Sequence, residues 1–204
     1  VKESRFIVFD LETRESPPEV GWKNFTAQGI SYGCAWLSDV DEFRLYGEDT
    51  IHKLAEDLHA ADCIVGFNII DFDLPLLKAT LERVSEGRST LDIEALRPKV
   101  YDILADIRNA LGTQFAKGWK LDQVAESNLT CKKNGDGAMA PELWKAGRYA
   151  ELCTYVLQDV KVERELWRHV LEHGAVKNKF VEPGLLKLSG IHWRAGGARE
   201  LQPA

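Results

Sequence analysis

Apolar positions in the first part of the chain fall in short runs, whereas later they recur at helical spacing. Arg5 to Leu11 is an apolar run of the kind expected from a strand covered on both faces. Ile30 to Leu37 and Glu42 to Tyr46 read as two further strands, joined by a turn at Ser38-Asp39-Val40-Asp41. Between them, Glu15 to Gly29 carries Pro17, Pro18, Gly21 and Gly29 and reads as a long loop. Thr50 is placed to cap a short amphipathic helix through Leu54, Ala55 and Leu58. Cys63 to Phe67 is another buried strand, with a helix expected around Phe72 to Thr80. Val100 to Ile103 reads as a short strand feeding a helix through Leu111, and Leu121 to Leu129 as a further helix. Arg148 to His173 is the longest helical pattern, with Leu152, Val156, Val160 and Trp167 along one stripe and Gly174 as its stop. The last thirty residues suggest a short hairpin or an irregular tail. Strands first and helices later predict an α/β fold, a mixed β-sheet flanked by α-helices. One domain over residues 1–204 is expected, with the tail from about residue 175 unassigned.

Three short motifs carry candidate chemistry. Phe9-Asp10-Leu11-Glu12-Thr13 ends the first strand, and strand alternation points Asp10 and Glu12 to one face. Two adjacent carboxylates repel, and a divalent cation that favours oxygen, magnesium or manganese, would balance them. An exposed acidic strand end is the plain alternative. The second motif is Gly66-Phe67-Asn68-Ile69-Ile70-Asp71-Phe72-Asp73-Leu74-Pro75, where a strand ends at Asn68 and a helix starts near Asp73. Either Asp71 or Asp73 can serve as a metal ligand, and Asp71 can instead cap the helix. Asn68 can offer an amide to a substrate. The third is Tyr155-Val156-Leu157-Gln158-Asp159, in which Tyr155 and Asp159 share a helix face. An ionised Asp159 among Val156, Leu157 and Val160 is costly without a partner, and Lys161 or Arg164 could supply one.

In order and character these motifs resemble the DEDDy group of DnaQ-like, ribonuclease H-fold 3′–5′ exonucleases. The resemblance runs from residue 10 to residue 159. The stretches Gly21-Trp22, Leu121-Asp122, Lys133-Asn134-Gly135-Asp136-Gly137, Leu143-Trp144 and Gly147-Arg148 are similar to a bacterial subgroup, sometimes attached to helicases. The resemblance implies a ribonuclease H-like sheet and two metal ions, Mg2+ or Mn2+, held by Asp10, Glu12, Asp73 and Asp159. It favours Asp73 over Asp71, and gives Tyr155 the attacking water. Thr13 and Asn68 would contact the terminal nucleotide. The implied activity is metal-dependent hydrolysis from the 3′ end of single-stranded DNA or RNA, releasing nucleoside 5′-monophosphates. The implied partner is nucleic acid, with linkage to a helicase or polymerase.

Composition narrows the setting. The chain is 45% hydrophobic and 28% charged, as in globular proteins. No apolar run approaches the roughly 20 residues of a membrane span. The opening residues run straight into a strand rather than a signal peptide, and a cytoplasmic location without membrane contact is expected. Cys34, Cys63, Cys131 and Cys153 lack zinc spacing and read as reduced thiols. A net charge of −6 by itself argues against a nucleic-acid partner, but a site that collects carboxylates for metal ions accounts for acidity of that kind. Trp22 and Phe25 could stack on a base or cover the sheet edge. Lys132 and Lys133, beside the Gly135-Asp136-Gly137 turn, could meet phosphates or simply be solvated. Asp102 and Asp106 share a helical face, where capping is the preferred role. His169 and His173 sit in the last turns of the long helix, where its dipole favours them. Two other readings stay open: a catalytically inactive nucleic-acid-binding module of the same fold, and a phosphodiesterase for short oligonucleotides.

Overall fold

The computed structural model describes residues 4–129, 139–189, 192–193 and 199–200; Cys131, Lys132, Lys133 and the Gly135-Asp136-Gly137 turn lie outside them. Strands β1 (Phe6–Thr13), β2 (Ile30–Leu37), β3 (Glu42–Gly47), β4 (Cys63–Gly66) and β5 (Val100–Asp102) form one mixed sheet in the order β3-β2-β1-β4-β5. The β1–β2–β3 part is an antiparallel meander, and β4 and β5 run parallel to β1. The carboxyl ends of β1, β4 and β5 therefore meet at one edge, where open α/β sheets bind ligands.

Both faces of the sheet are covered, which is why β1 reads as an apolar run rather than an alternation. Ile7, Phe9 and Leu11 join the core beneath helices α3 (Ile51–Ala60) and α4 (Asp73–Val84). Val8 faces the opposite core, built with α6 (Ile103–Leu111), α7 (Leu121–Asn128) and α9 (Tyr149–His173). Asp10 and Glu12 follow Val8 at two-residue steps, so they continue onto the α9 side. Four-residue spacing places Leu152, Val156 and Val160 on the buried side of α9, with Trp167 farther along, and Gly174 ends the helix in the left-handed conformation at φ 60°.

Two features shape the sheet edge. The β1–β2 ladder shifts register between Glu12 and Thr13, an irregularity that re-aims side chains at the end of β1. Gly66 ends β4 where a Cβ would lie 2.3 Å from the Ile69 side chain and 3.0 Å from the Phe9 carbonyl oxygen. No other residue lets the chain fold back so closely into α4.

The stretch expected as a plain loop after β1 contains two short helices, α1 (Pro17–Val20) and α2 (Phe25–Gln28), each closed by a glycine with positive φ. Helices α5 (Ile93–Leu96) and α8 (Met139–Lys145) complete the set of α-helices among the described residues. The expected hairpin in the tail is present as β6 (Ala175–Lys177) paired with β7 (Leu185–Lys187). No described helix is long and apolar enough to cross a membrane.

Candidate active site

Asp10 and Glu12 on β1 meet Asp159 on α9 at the sheet edge. One carboxylate oxygen from each can be chosen so that all three lie within 4.8 Å of one another. Oxygen atoms this close suit one small divalent cation, which binds carboxylates at about 2.0–2.6 Å. The donor set is all oxygen, and it fits magnesium or manganese chemistry better than a thiolate- or imidazole-seeking metal. Glu12 and Asp159 are buried, and Asp10 is half-buried.

Asp73 arrives from the opposite face of the sheet. It is the first residue of α4, only 2% exposed, and its Oδ1 accepts the Leu11 N–H at 3.0 Å. The β1–β4 ladder pairs only Phe6–Val8 of β1, so the Leu11 amide lies beyond it and the Asp73 side chain satisfies that donor. Burial, and then the negative charge of Asp10, hold the Asp73 carboxyl well above the usual carboxylate range. The competing Asp71 points elsewhere: its carboxylate is mostly exposed and pairs with Arg108 at 2.5 Å. It does not cap α4, whose N-cap is Phe72.

The acids line a cavity of about 570 Å³ together with Thr13, Trp22, Asn68, Phe72, Trp119, Lys120 and Glu163. Asn68 holds a left-handed φ of 71°, and its side-chain oxygen accepts from Arg108 at 3.1 Å, so any donation to a substrate comes from its NH2 group. Tyr155 is one turn before Asp159 on the inward stripe of α9 but does not itself line the cavity. Its ring packs with Ala140, Leu143 and Leu152 against α8. Lys145 on α8 is held by Glu15 and Glu19, which ties that helix to the segment after β1.

Asp102 takes the expected capping place and does more. Its oxygens accept from Leu104 N and Ala105 N at the start of α6, and from Asn68 N and Ile70 N in the loop before α4. Burial pushes its pKa up while the four N–H donors pull it back, leaving it raised. Asp106 accepts from the Tyr101 hydroxyl at 2.9 Å. Trp22 and Phe25 are placed differently. Trp22 stands 67% exposed at the cavity, whereas Phe25 packs edge-on against Phe72. Lys161 and Arg164 lie over the Phe43 ring, and Arg164 also pairs with Glu165. His169 and His173 stack on each other at 4.2 Å, on the last turns of α9.

The motifs do not include Glu163. It is 1% exposed, lines the cavity, and lies one turn beyond Asp159, so Tyr155, Asp159 and Glu163 form one stripe at four-residue steps. That spacing is visible in the sequence, but Glu163 stands among Lys161, Arg164 and Glu165, where an acid normally reads as part of a solvated face.

A solved structure of the family B DNA polymerase from the hyperthermophilic archaeon Pyrobaculum calidifontis is similar over 83% of this chain, with a TM-score of 0.62 and 20% sequence identity. The fold is ribonuclease H-like. The chain spans 25% of that polymerase's length. No family model and no curated protein matches the sequence. The likeness is one of architecture, and the acid cluster gives this fold a place able to hold a metal ion.

Proposed function

We propose that the chain is a 3′–5′ exonuclease of the DEDDy type, which hydrolyses the terminal phosphodiester of a single-stranded nucleic acid and releases nucleoside 5′-monophosphates. The observation that carries this reading is the gathering of Asp10, Glu12 and Asp159 oxygens within 4.8 Å, in a cavity that also contains Asp73. The architectural likeness to part of a DNA polymerase supports nucleic acid as the substrate.

Asp10, Glu12 and Asp159 would hold one divalent cation, and Asp73, with Asp10 as the shared acid, would support a second. Bound magnesium or manganese supplies charge neutralisation at the scissile phosphate and activation of water. The protein's own part is positioning. The Asp73–Leu11 hydrogen bond fixes one acid against the β1 backbone. Thr13 and Asn68 sit in the cavity wall, where they can orient the terminal nucleotide. Tyr155, one turn before Asp159 on the same stripe of α9, would hold the attacking water as a hydrogen-bond partner. Trp22 offers an exposed ring to the terminal base at the cavity rim.

Matched DNA and RNA strands labelled at the 3′ or 5′ end, incubated with manganese, magnesium or chelator, test the reading. Metal-dependent release of mononucleotides from the 3′ end is expected. Asp10→Ala and Asp159→Ala should each lower the rate by at least about a thousandfold, near 4 kcal/mol of transition-state stabilisation, with an unchanged circular dichroism spectrum. Tyr155→Phe should cost about tenfold in kcat with little change in KM. Retained turnover in either alanine variant, or products released from the 5′ end, would overturn the assignment. Specific binding of a strand without any metal-dependent cleavage would make the chain a binding module instead.

A further inference from the structure

Beside the acid cavity lies a second, larger groove of about 1050 Å³, lined by neighbouring residues of the same segments. The connection between α6 and α7 supplies Thr113 and Phe115 to the groove, then Trp119 and Lys120 to the cavity. The loop before α4 does the same, with Ile70 and Asp71 on the groove side and Asn68 and Asp73 on the cavity side. A chain leaving the cavity across this ridge enters the groove.

The ridge has the chemistry of a nucleic-acid contact. Between Asp106 and Asp122 the sequence carries Arg108, Lys117 and Lys120 and no acid, a local reversal in a chain of net charge −6. Lys23 faces the groove from the other wall. Arg108 is partly balanced by Asp71, whereas Lys23, Lys117 and Lys120 are exposed. Phe115 is 84% exposed on this ridge. The ridge around it is braced: the Thr113 hydroxyl accepts the Phe115 N–H, Trp119 is buried in the core, and Asn178 donates to the Gly118 carbonyl. An exposed aromatic ring on a braced backbone, among cations, suits a stacked base flanked by phosphates.

We propose that this groove binds the nucleotides upstream of the scissile bond in a single strand whose 3′ end occupies the acid cavity. Phe115 is the base platform, and Lys23, in the groove wall, meets the backbone. The proposal rests on the nuclease reading for the cavity but makes its own demand, that affinity grows with strand length through the groove.

Fluorescence anisotropy in chelator, with labelled deoxythymidine trinucleotide and dodecanucleotide, gives the ratio of their affinities, and cleavage in manganese is followed separately. The wild-type chain is expected to favour the longer strand by at least about tenfold, and Phe115→Ala to remove about tenfold from that ratio. Lys23→Ala should flatten the salt dependence of dodecanucleotide binding. Phe115 is a surface residue, so its variant should keep the wild-type melting temperature. An unchanged ratio in Phe115→Ala overturns the groove proposal even where cleavage proceeds. A lost length preference in Phe115→Ala upholds it even where no cleavage is found, the outcome that would remove the nuclease reading alone. A dimer that Phe115→Ala converts to monomer, with the dodecanucleotide affinity intact, would assign the groove to a second copy of the chain and also overturn the proposal.

Discussion

Asp73 is buried beside Asp10, and both circumstances penalise its charge. Its folded pKa stands above the ordinary value of 3.8, so in that interval the folded chain holds a proton that the unfolded chain has released. Stability therefore declines as pH rises from the ordinary value towards the folded one, and stays at the lower level above it. Asparagine keeps an oxygen for the Leu11 N–H and removes the charge. Asp73→Asn is expected to raise the melting temperature of the metal-free protein at neutral pH by a few degrees and to flatten its decline with rising pH, while cleavage falls sharply. Melting curves in chelator from about pH 4 to pH 8 check this. A variant midpoint at or below wild type at neutral pH would show that the acid is not strained. At this scale the sequence was informative where residue type and spacing alone define the chemistry. Asp10 and Glu12 share a face because a strand alternates, and Asp159 follows Tyr155 by one helical turn. The choice between Asp71 and Asp73 rested largely on resemblance, because it depends on which face of the sheet the helix start crosses. Glu163 was missed because burial of a charged helix position depends on what packs over it.

Single polar residues also decide how the elements join at the sheet edge. Asp102 accepts two N–H groups from the start of α6 and two from the loop between β4 and α4, so it locks the loop that carries Asn68 and Asp73 to a neighbouring helix. Asp102→Ala is expected to cost about 2–4 kcal/mol of stability, more than an ordinary helix cap, because buried donors lose a charged acceptor. Urea unfolding measures the loss. Cleavage by the folded variant should fall as well, with Asp102→Asn intermediate in both, and a loss within the ordinary capping range would limit Asp102 to α6. The longer elements were legible from pattern. β1 to β5, α3, α4, α6, α7 and α9 were read close to their observed bounds, the helices from a repeated apolar period and the short strands β4 and β5 from unbroken apolar runs. Helices of four residues, such as α1 and α2, complete barely one 3.6-residue turn and leave no periodicity to read. The dual role of Asp102 joins residues 34 positions apart, and no local pattern reports such a bond.

Over the whole molecule, the acid cluster stands where two cores meet. Asp10, Glu12 and Asp159 belong to the side packed with α9, and Asp73 comes from the side packed with α3 and α4. A cation held among them ties β1 and α9 together, and one reaching Asp73 links both faces of the sheet, so binding should register as global stability. With metal at about a hundred times its dissociation constant, linkage adds about 2.7 kcal/mol, or about 5–10 °C in melting temperature for a chain of this size. Manganese added after chelator should produce that rise in the wild-type protein. Asp10→Ala should lose most of it, because it removes the shared acid. Leu166 is fully buried where α9 packs on the sheet, and Leu166→Ala should lower stability by about 2–5 kcal/mol yet retain the manganese response. This contrast separates a ligand site from general fragility: a loose fold alone would make the response track baseline stability, whereas a carboxylate site makes it track the acids. A manganese rise of equal size in wild type and Asp10→Ala would place the ion elsewhere and deprive the acid cluster of its assigned role.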